Sequence, residues 1–205
     1  MDKDELQRKY NEFARWYDFG EALPEALAVR NLRRELLQKA SGRVLEVAVG
    51  TGKNLRYYPR SCHITAVDLS PRMLEMARKR ATRLGLHADF FIGDGETLPF
   101  PDESFDTVVD SLTICTFTNP IVALQEMARV CRPEGRILLL EHGRSDREWL
   151  GRWQDRRAER HVEKFGCRWN LNPPALIREA GLPVRASRRR FFGIFWAMEA
   201  ASRAE

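Results

Sequence analysis

The residues best suited to chemistry begin at Val44-Leu45-Glu46-Val47-Ala48-Val49-Gly50-Thr51-Gly52-Lys53-Asn54, an apolar run that meets an acidic residue and then two closely spaced glycines. This reads as a strand entering a ligand-holding turn, where missing side chains let the backbone approach a bound molecule and glycine tolerates positive φ. Two further carboxylates follow: Asp68, 22 residues after Glu46, and Asp94, 26 residues after Asp68. Each interval fits one strand-helix-strand unit, so all three are expected at carboxyl ends of parallel strands, facing one crevice. A nicotinamide site is the obvious competitor, with its glycine turn and an acidic residue about 20 positions on. Against it, position 55 is Leu where the dinucleotide pattern has its third glycine or alanine, and Glu46 would face a pyrophosphate. A cofactor without phosphate and with a positive group tolerates that carboxylate.

The elements needed to position these residues are legible in the periodicity. Short apolar runs at 43–47, 63–67, 88–92, 105–110 and 136–141 alternate with amphipathic stretches, the pattern of a parallel sheet whose strands are buried on both faces. Ser70-Pro71 opens a helix to Arg83 that Gly85 ends, and another runs from Asn119 to Val130. The first forty residues read as two helices, Asp4 to Asp18 and Pro24 to Lys39. After Gly143 a charged helix, 146–164, precedes a shorter one at 172–180 and two β-like runs, 184–191 and 193–198. The expected fold is α/β: one Rossmann-like, doubly wound, mostly parallel seven-stranded sheet with an antiparallel C-terminal hairpin and an N-terminal helical lid. Residues 1–205 are expected to form a single domain, with 1–41 as cap, 42–143 as cofactor-binding core and 144–205 as C-terminal helices and final strands.

Together, Glu46–Gly52, Asp68 with Ser70-Pro71-Met73-Leu74, and Gly93-Asp94-Gly95-Glu96-x-Leu98-Pro99-Phe100-x-Asp102-x-Ser104-Phe105-Asp106 resemble the class I S-adenosylmethionine-dependent methyltransferases. Gln125-Glu126-x-x-Arg129-Val130-x-Arg132-Pro133-x-Gly135-Arg136 is similar to their ubiquinone/menaquinone-biosynthesis-like (UbiE-like) branch. The likeness covers about residues 42–143 and extends to small phospholipid N-methyltransferases and alkyl-thiol methyltransferases, including Asn54 with Tyr58-Pro59. It implies that S-adenosylmethionine is bound and S-adenosylhomocysteine released. It further implies that Glu46 and the turn Ala48, Gly50, Thr51, Gly52 and Asn54 hold the methionine part. Asp68 would take both ribose hydroxyls, Leu69 and Met73 would pack on the adenine, and Asp94 would accept from its amino group beside Gly95. Ser111 completes the expected cofactor set. Family members usually carry a glycine where Ala48 stands.

For the acceptor, His142 is the first candidate general base, at the end of the fifth strand. Thr113 and Cys115 after the fourth strand, with Tyr10 and Tyr17 from the N-terminal helix, are expected to line the pocket. The implied acceptor is a small apolar molecule or a lipid headgroup, phosphatidylethanolamine in one version; an NAD-dependent oxidoreductase and a non-catalytic cofactor-binding module stand as alternatives.

Composition narrows the partners. Cys62, Cys115, Cys131 and Cys167 form no Cys-x-x-Cys pair and the four histidines show no ligand spacing, so reduced thiols and no metal are expected. The formal charge of +5 lies entirely in the C-terminal part, where residues 141–205 carry 14 basic and 9 acidic side chains. Trp149, Trp153, Phe165 and Trp169 among arginines, followed by Arg188-Arg189-Arg190-Phe191-Phe192, suit docking of an apolar acceptor or an anionic membrane surface, while core strands and a solvated helix explain the same residues without any partner. The basic excess is modest and no RNA-binding module is recognisable, which disfavours nucleic acid. With no basic-then-apolar leader and no bilayer-length apolar run, a cytoplasmic location is expected, with peripheral membrane contact as a variant. The sequence does not determine the oligomeric state.

Overall fold

The computed structural model of the chain describes residues 2–20, 25 and 29–203, leaving aside the side chains of residues 15–20. Seven strands, β1 (Arg43–Val47), β2 (His63–Asp68), β3 (Ala88–Ile92), β4 (Phe105–Ser111), β5 (Cys131–His142), β6 (Val184–Arg190) and β7 (Phe195–Ala200), form one sheet in the order β3-β2-β1-β4-β5-β7-β6. The first five strands are parallel. β7 inserts antiparallel between β5 and β6, with Leu139 opposite Met198 and His142 opposite Phe195. The helices are α1 (Lys3–Gly20), α2 (Arg30–Leu37), α3 (Pro71–Arg83), α4 (Pro120–Val130), α5 (Glu148–Phe165) and α6 (Pro173–Glu179), with a short 3-10 turn at Lys53–Tyr57. The α/β, Rossmann-like architecture read from the sequence is therefore present. The chain ahead of Arg30, where the second helix was expected to begin at Pro24, lies largely outside the described residues.

Alternation along the central strands sends successive side chains to opposite faces. Val44, Ala66, Val109 and Leu138 join one buried cluster with Leu37 and Leu74; Leu45, Val67, Val108 and Leu139 join the other with Leu124 and Met127. Both faces are covered, which is why these runs read as continuously apolar. β3 departs from that expectation: Phe91 is 45% and Ile92 62% exposed. It is one of the two edge strands of the sheet, and Phe91 packs edge-on against Phe100 at 5.9 Å.

Local signals set the helix starts. Ser70 Oγ accepts from Met73 N–H at 3.1 Å ahead of Pro71, and the Asn119 side chain accepts from Val122 N–H ahead of Pro120. The sheet order reverses between β1 and β4, where Glu46 lies beside Val109 and Val47 beside Asp110, so the crevice opens at their carboxyl ends. The Gln125–Arg136 motif braces the loop that leads away from Asp94. Glu126 Oε2 accepts from Leu98 N–H at 2.8 Å, while the Arg129 guanidinium donates to the carbonyls of Leu98 and Phe100 at 3.0 and 2.9 Å.

Candidate active site

A cleft of about 1020 Å³, open mouth included, lies over the carboxyl ends of β1, β2 and β4, with α1 contributing Lys3, Gln7 and Tyr10 to its wall. Glu46, Asp68 and Asp94 all line it, as do Ala48, Gly50, Thr51 and Asn54 of the turn. So do Leu69, Met73, Gly95 and Ser111, and on the acceptor side Tyr10 and Thr113. Gly52 stands behind the wall, capping the 3-10 turn at φ 79°, and a Cβ there would lie 3.1 Å from the Ala77 backbone. Tyr17 falls outside the described side chains. Cys115 and His142 lie off the cleft wall: Cys115 is 2% exposed, and His142 Nε2 sits 3.3 Å from Cys167 Sγ.

Glu46 is the most desolvated anion of the cleft, 2% exposed. Burial pushes its carboxyl up to about 7, even though Tyr58 Oη and Asn54 Nδ2 donate to it at 2.9 and 2.8 Å. Asn54 Nδ2 also reaches Ser111 Oγ at 3.0 Å, and the buried Arg33 donates to Asn54 Oδ1 while pairing with Glu25 at 2.9 Å. Arg33 was not anticipated. Its only sequence signal is its place among Leu32, Leu36 and Leu37 on the inward face of α2.

Asp68 is pushed to about 6, again by burial, against hydrogen bonds from Gly50 N–H at 2.7 Å and Ser70 N–H at 2.8 Å. Asp94 keeps one oxygen on Glu96 N–H at 2.9 Å and gives the other to the Lys3 ammonium of α1. Gln7 Nε2 donates to the Leu69 carbonyl at 2.6 Å, and Asn11 Oδ1 accepts from Ser70 Oγ at 2.6 Å. α1 thus binds the loop after β2 and the loop after β3 at once. The sequence offered this helix as a lid through its aromatic residues; the polar contacts made by Lys3, Gln7 and Asn11 were not anticipated.

Ala48 holds φ at 50°, a left-handed conformation that costs an L-residue with a Cβ roughly 1 kcal/mol. Ala48→Gly is expected to raise the thermal midpoint of the cofactor-free protein by about 2–4 °C, measurable by calorimetry. An unchanged or lowered midpoint would show that the turn is not strained there.

On the acceptor side, Asp110 and Glu141 are both fully buried. Burial first, and Asp110 second, drive Glu141 well above its ordinary value, while burial raises Asp110 to about 6. Glu141 Oε1 accepts from Thr113 N–H at 3.2 Å, and Thr113 Oγ1 donates to Asp110 Oδ1, so the pair fixes the start of the 112–118 loop.

A family model described as "Methyltransferase domain" matches residues 45–139. The phosphatidylethanolamine N-methyltransferase of Cereibacter sphaeroides is 34% identical over 150 residues, covering 72% of each chain. The chain belongs to the class I S-adenosylmethionine-dependent methyltransferases, in the UbiE-like branch. S-adenosylmethionine is the methyl donor of this enzyme, which decides against the nicotinamide reading. The methyltransferase is also 31% identical over 211 residues to methyltransferase OMS1, mitochondrial, of Saccharomyces cerevisiae, covering 93% of this chain but only 45% of that protein's length. Among solved structures, a S-adenosylmethionine-dependent methyltransferase of Thermotoga maritima, described as a possible histamine N-methyltransferase, aligns with a TM-score of 0.71 and 24% identity. That alignment covers 97% of this chain and all of the other, and it speaks for the fold.

The cleft suits the donor. Three carboxylates line it, no phosphate need pass Glu46, and a Cβ at Gly50 would meet nothing within 4 Å, so the backbone there is open for close approach.

Proposed function

We propose that this methyltransferase delivers its methyl group to a small apolar molecule or lipid headgroup taken up at an anionic membrane surface. One observation carries the reading: Trp149 (67% exposed), Phe192 (52%) and Phe191 (47%) project from adjoining segments. Asp146 N–H and Ser145 Oγ both donate to the Phe192 carbonyl, at 3.2 and 2.6 Å, and so hold the β6–β7 turn against the first turn of α5. Phe191 and Phe192 adopt φ of 51° and 53°, positions where bulky residues are costly. These exposed aromatics, with the exposed Arg147, Arg152 and Arg190 beside them along the chain, suit an interface that is apolar inside and anionic at its rim. Among the described residues no helix is long and apolar enough to cross a membrane, so the contact proposed is peripheral.

Within the cleft, Glu46 would pair with the ammonium of the methionine part and Asp68 would accept from the ribose hydroxyls. Leu69 and Met73 would flank the adenine, and Asp94 would receive its amino group in place of Lys3. The donor supplies a methyl on a positively charged sulfur. The protein aligns an acceptor in line with that carbon and keeps water out, for which α1 and the 112–118 loop are the walls. No dedicated base is assigned, because His142 faces Cys167. A phosphatidylethanolamine-type amine is the first acceptor to try, given the similarity to the Cereibacter enzyme.

The test is release of S-adenosylhomocysteine across an acceptor panel of ethanolamine lipids, quinols and alkyl thiols, beside sedimentation with phosphatidylglycerol-containing vesicles. Vesicle binding is expected to weaken with salt and to fall at least about tenfold in W149S/F192S. Equal sedimentation with neutral vesicles, or no loss in the double variant, would remove the membrane part. Turnover confined to polar acceptors would remove the rest.

A further inference from the structure

The thiols of Cys115 and Cys167 and the imidazole of His142 have ligand atoms that all lie within 4.8 Å of one another, and we propose that they form a binding site for a soft divalent cation, zinc in the first place. The three residues come from separate segments: the loop after β4, the last residue of β5, and the position after the Gly166 cap of α5. They are 27 and 25 residues apart in sequence, so no ligand motif announces them.

Two thiolates and one imidazole are a zinc donor set. Tetrahedral zinc with bonds of about 2.3 Å to sulfur and about 2.0 Å to nitrogen sets its ligand atoms about 3.5–3.8 Å apart. The cluster is therefore within about an ångström of ligation, reachable by side-chain rotation.

The backbone around it is fixed by bonds that owe nothing to a metal. Arg168 N–H donates to the Cys115 carbonyl at 3.0 Å, the Arg168 guanidinium donates to the Phe117 carbonyl, and β7 holds His142 opposite Phe195. His161 of α5 hydrogen-bonds the Cys167 thiol from another side, its ring stacked on Trp169 at 4.1 Å.

On binding a divalent cation, Cys115 and Cys167 would both ligate as thiolates, their protons leaving to solvent, and neutral His142 would donate its lone pair. Thr113, Thr116 and Phe117, which wall the acceptor side of the cleft, would then be clamped to the end of β5 and to the turn after α5. A fourth coordination position remains for water or another donor.

The experiment uses the full chain, untagged, purified under reducing conditions and dialysed against a weak chelator. Metal analysis is expected to find about one zinc per chain in the wild type and in C62S/C131S, and less than about a tenth of that in C115S, C167S and H142A. Cobalt added to stripped wild-type protein is expected to give thiolate-to-cobalt charge-transfer absorption and the visible bands of a tetrahedral ion at about one equivalent, a readout that needs no variant to fold. Absence of stoichiometric zinc and cobalt binding by the wild type would overturn the site. So would full metal content in C115S and C167S, loss of it in C62S/C131S, or a Cys115–Cys167 disulfide in peptide maps of the native protein, which would make the pair a redox couple.

Discussion

Asp68→Ala is expected to weaken S-adenosylhomocysteine binding by about 100-fold or more, measured by titration calorimetry. The carboxylate serves two masters in the cofactor-free protein, Gly50 N–H at 2.7 Å and Ser70 N–H at 2.8 Å. Each ionised oxygen has lone pairs left for a hydroxyl, so the ribose would be bound by a group already aimed by the turn and by the start of α3. Removing it deletes two charge-assisted hydrogen bonds to the ligand, each worth about 1.5–3 kcal/mol, and leaves two backbone donors without their acceptor. With each 1.4 kcal/mol counting tenfold, about 3 kcal/mol is the low end of the loss. Asp68→Asn keeps an acceptor for one N–H and is expected to fall between wild type and alanine. A loss of less than about fivefold in the alanine variant would exclude Asp68 from the ribose site.

The second large effect concerns Glu46 and pH. Its carboxyl stands at about 7 against an ordinary 4.5 because it is buried, and Asp68 stands at about 6 against 3.8 for the same reason. Between the ordinary and the raised values the native chain holds more protons than the unfolded one, so stability from these groups is complete below pH 3.8–4.5 and is lost as pH rises through 6 and 7. For Glu46 the loss is on the order of 3 kcal/mol. Cofactor affinity is expected to run the other way, since an ammonium needs the carboxylate ionised: binding should tighten from pH 5.5 to 8, steeply below about 7. Glu46→Gln should remove part of the alkaline destabilisation of the cofactor-free protein, weaken S-adenosylhomocysteine about 100-fold at pH 8, and flatten the pH dependence near 7. A wild-type affinity independent of pH over that range, or an undiminished affinity in the glutamine variant, would place the ammonium elsewhere. Ionising the buried Glu46 carboxyl thus costs stability, a cost that the cofactor's ammonium would offset.

Much of this was legible in the sequence because it depends on interactions a few residues long. Alternating apolar residues specify a strand, Ser70-Pro71 and Asn119-Pro120 cap their helices through their own side chains, and a strand-helix-strand unit has a characteristic length. Those regularities carry Glu46, Asp68 and Asp94 to one sheet edge whatever the rest of the chain does. The Gln125–Arg136 motif was readable as a family feature, and the structure supplies its physical reason: Glu126 and Arg129 hold the Leu98–Asp102 loop that follows Asp94.

The remainder was decided by which segments the fold brings side by side, which no local pattern encodes. β3 looks like the other apolar runs, yet Phe91 and Ile92 stay exposed because β3 is an edge strand of the sheet. Arg33 reaches Asn54, and Lys3 reaches Asp94, only because α2 and α1 dock beside the cleft. His142 has the position of a strand-end base, but the return of the chain through α5 puts Cys167 against its ring. The sequence by itself determined the sheet, the glycine turn and the three carboxylates, since hydrogen-bond periodicity and helix capping act over short range. Tertiary structure alone decided which distant side chains meet, and so turned two cysteines and a histidine without a motif into a cluster of ligand size.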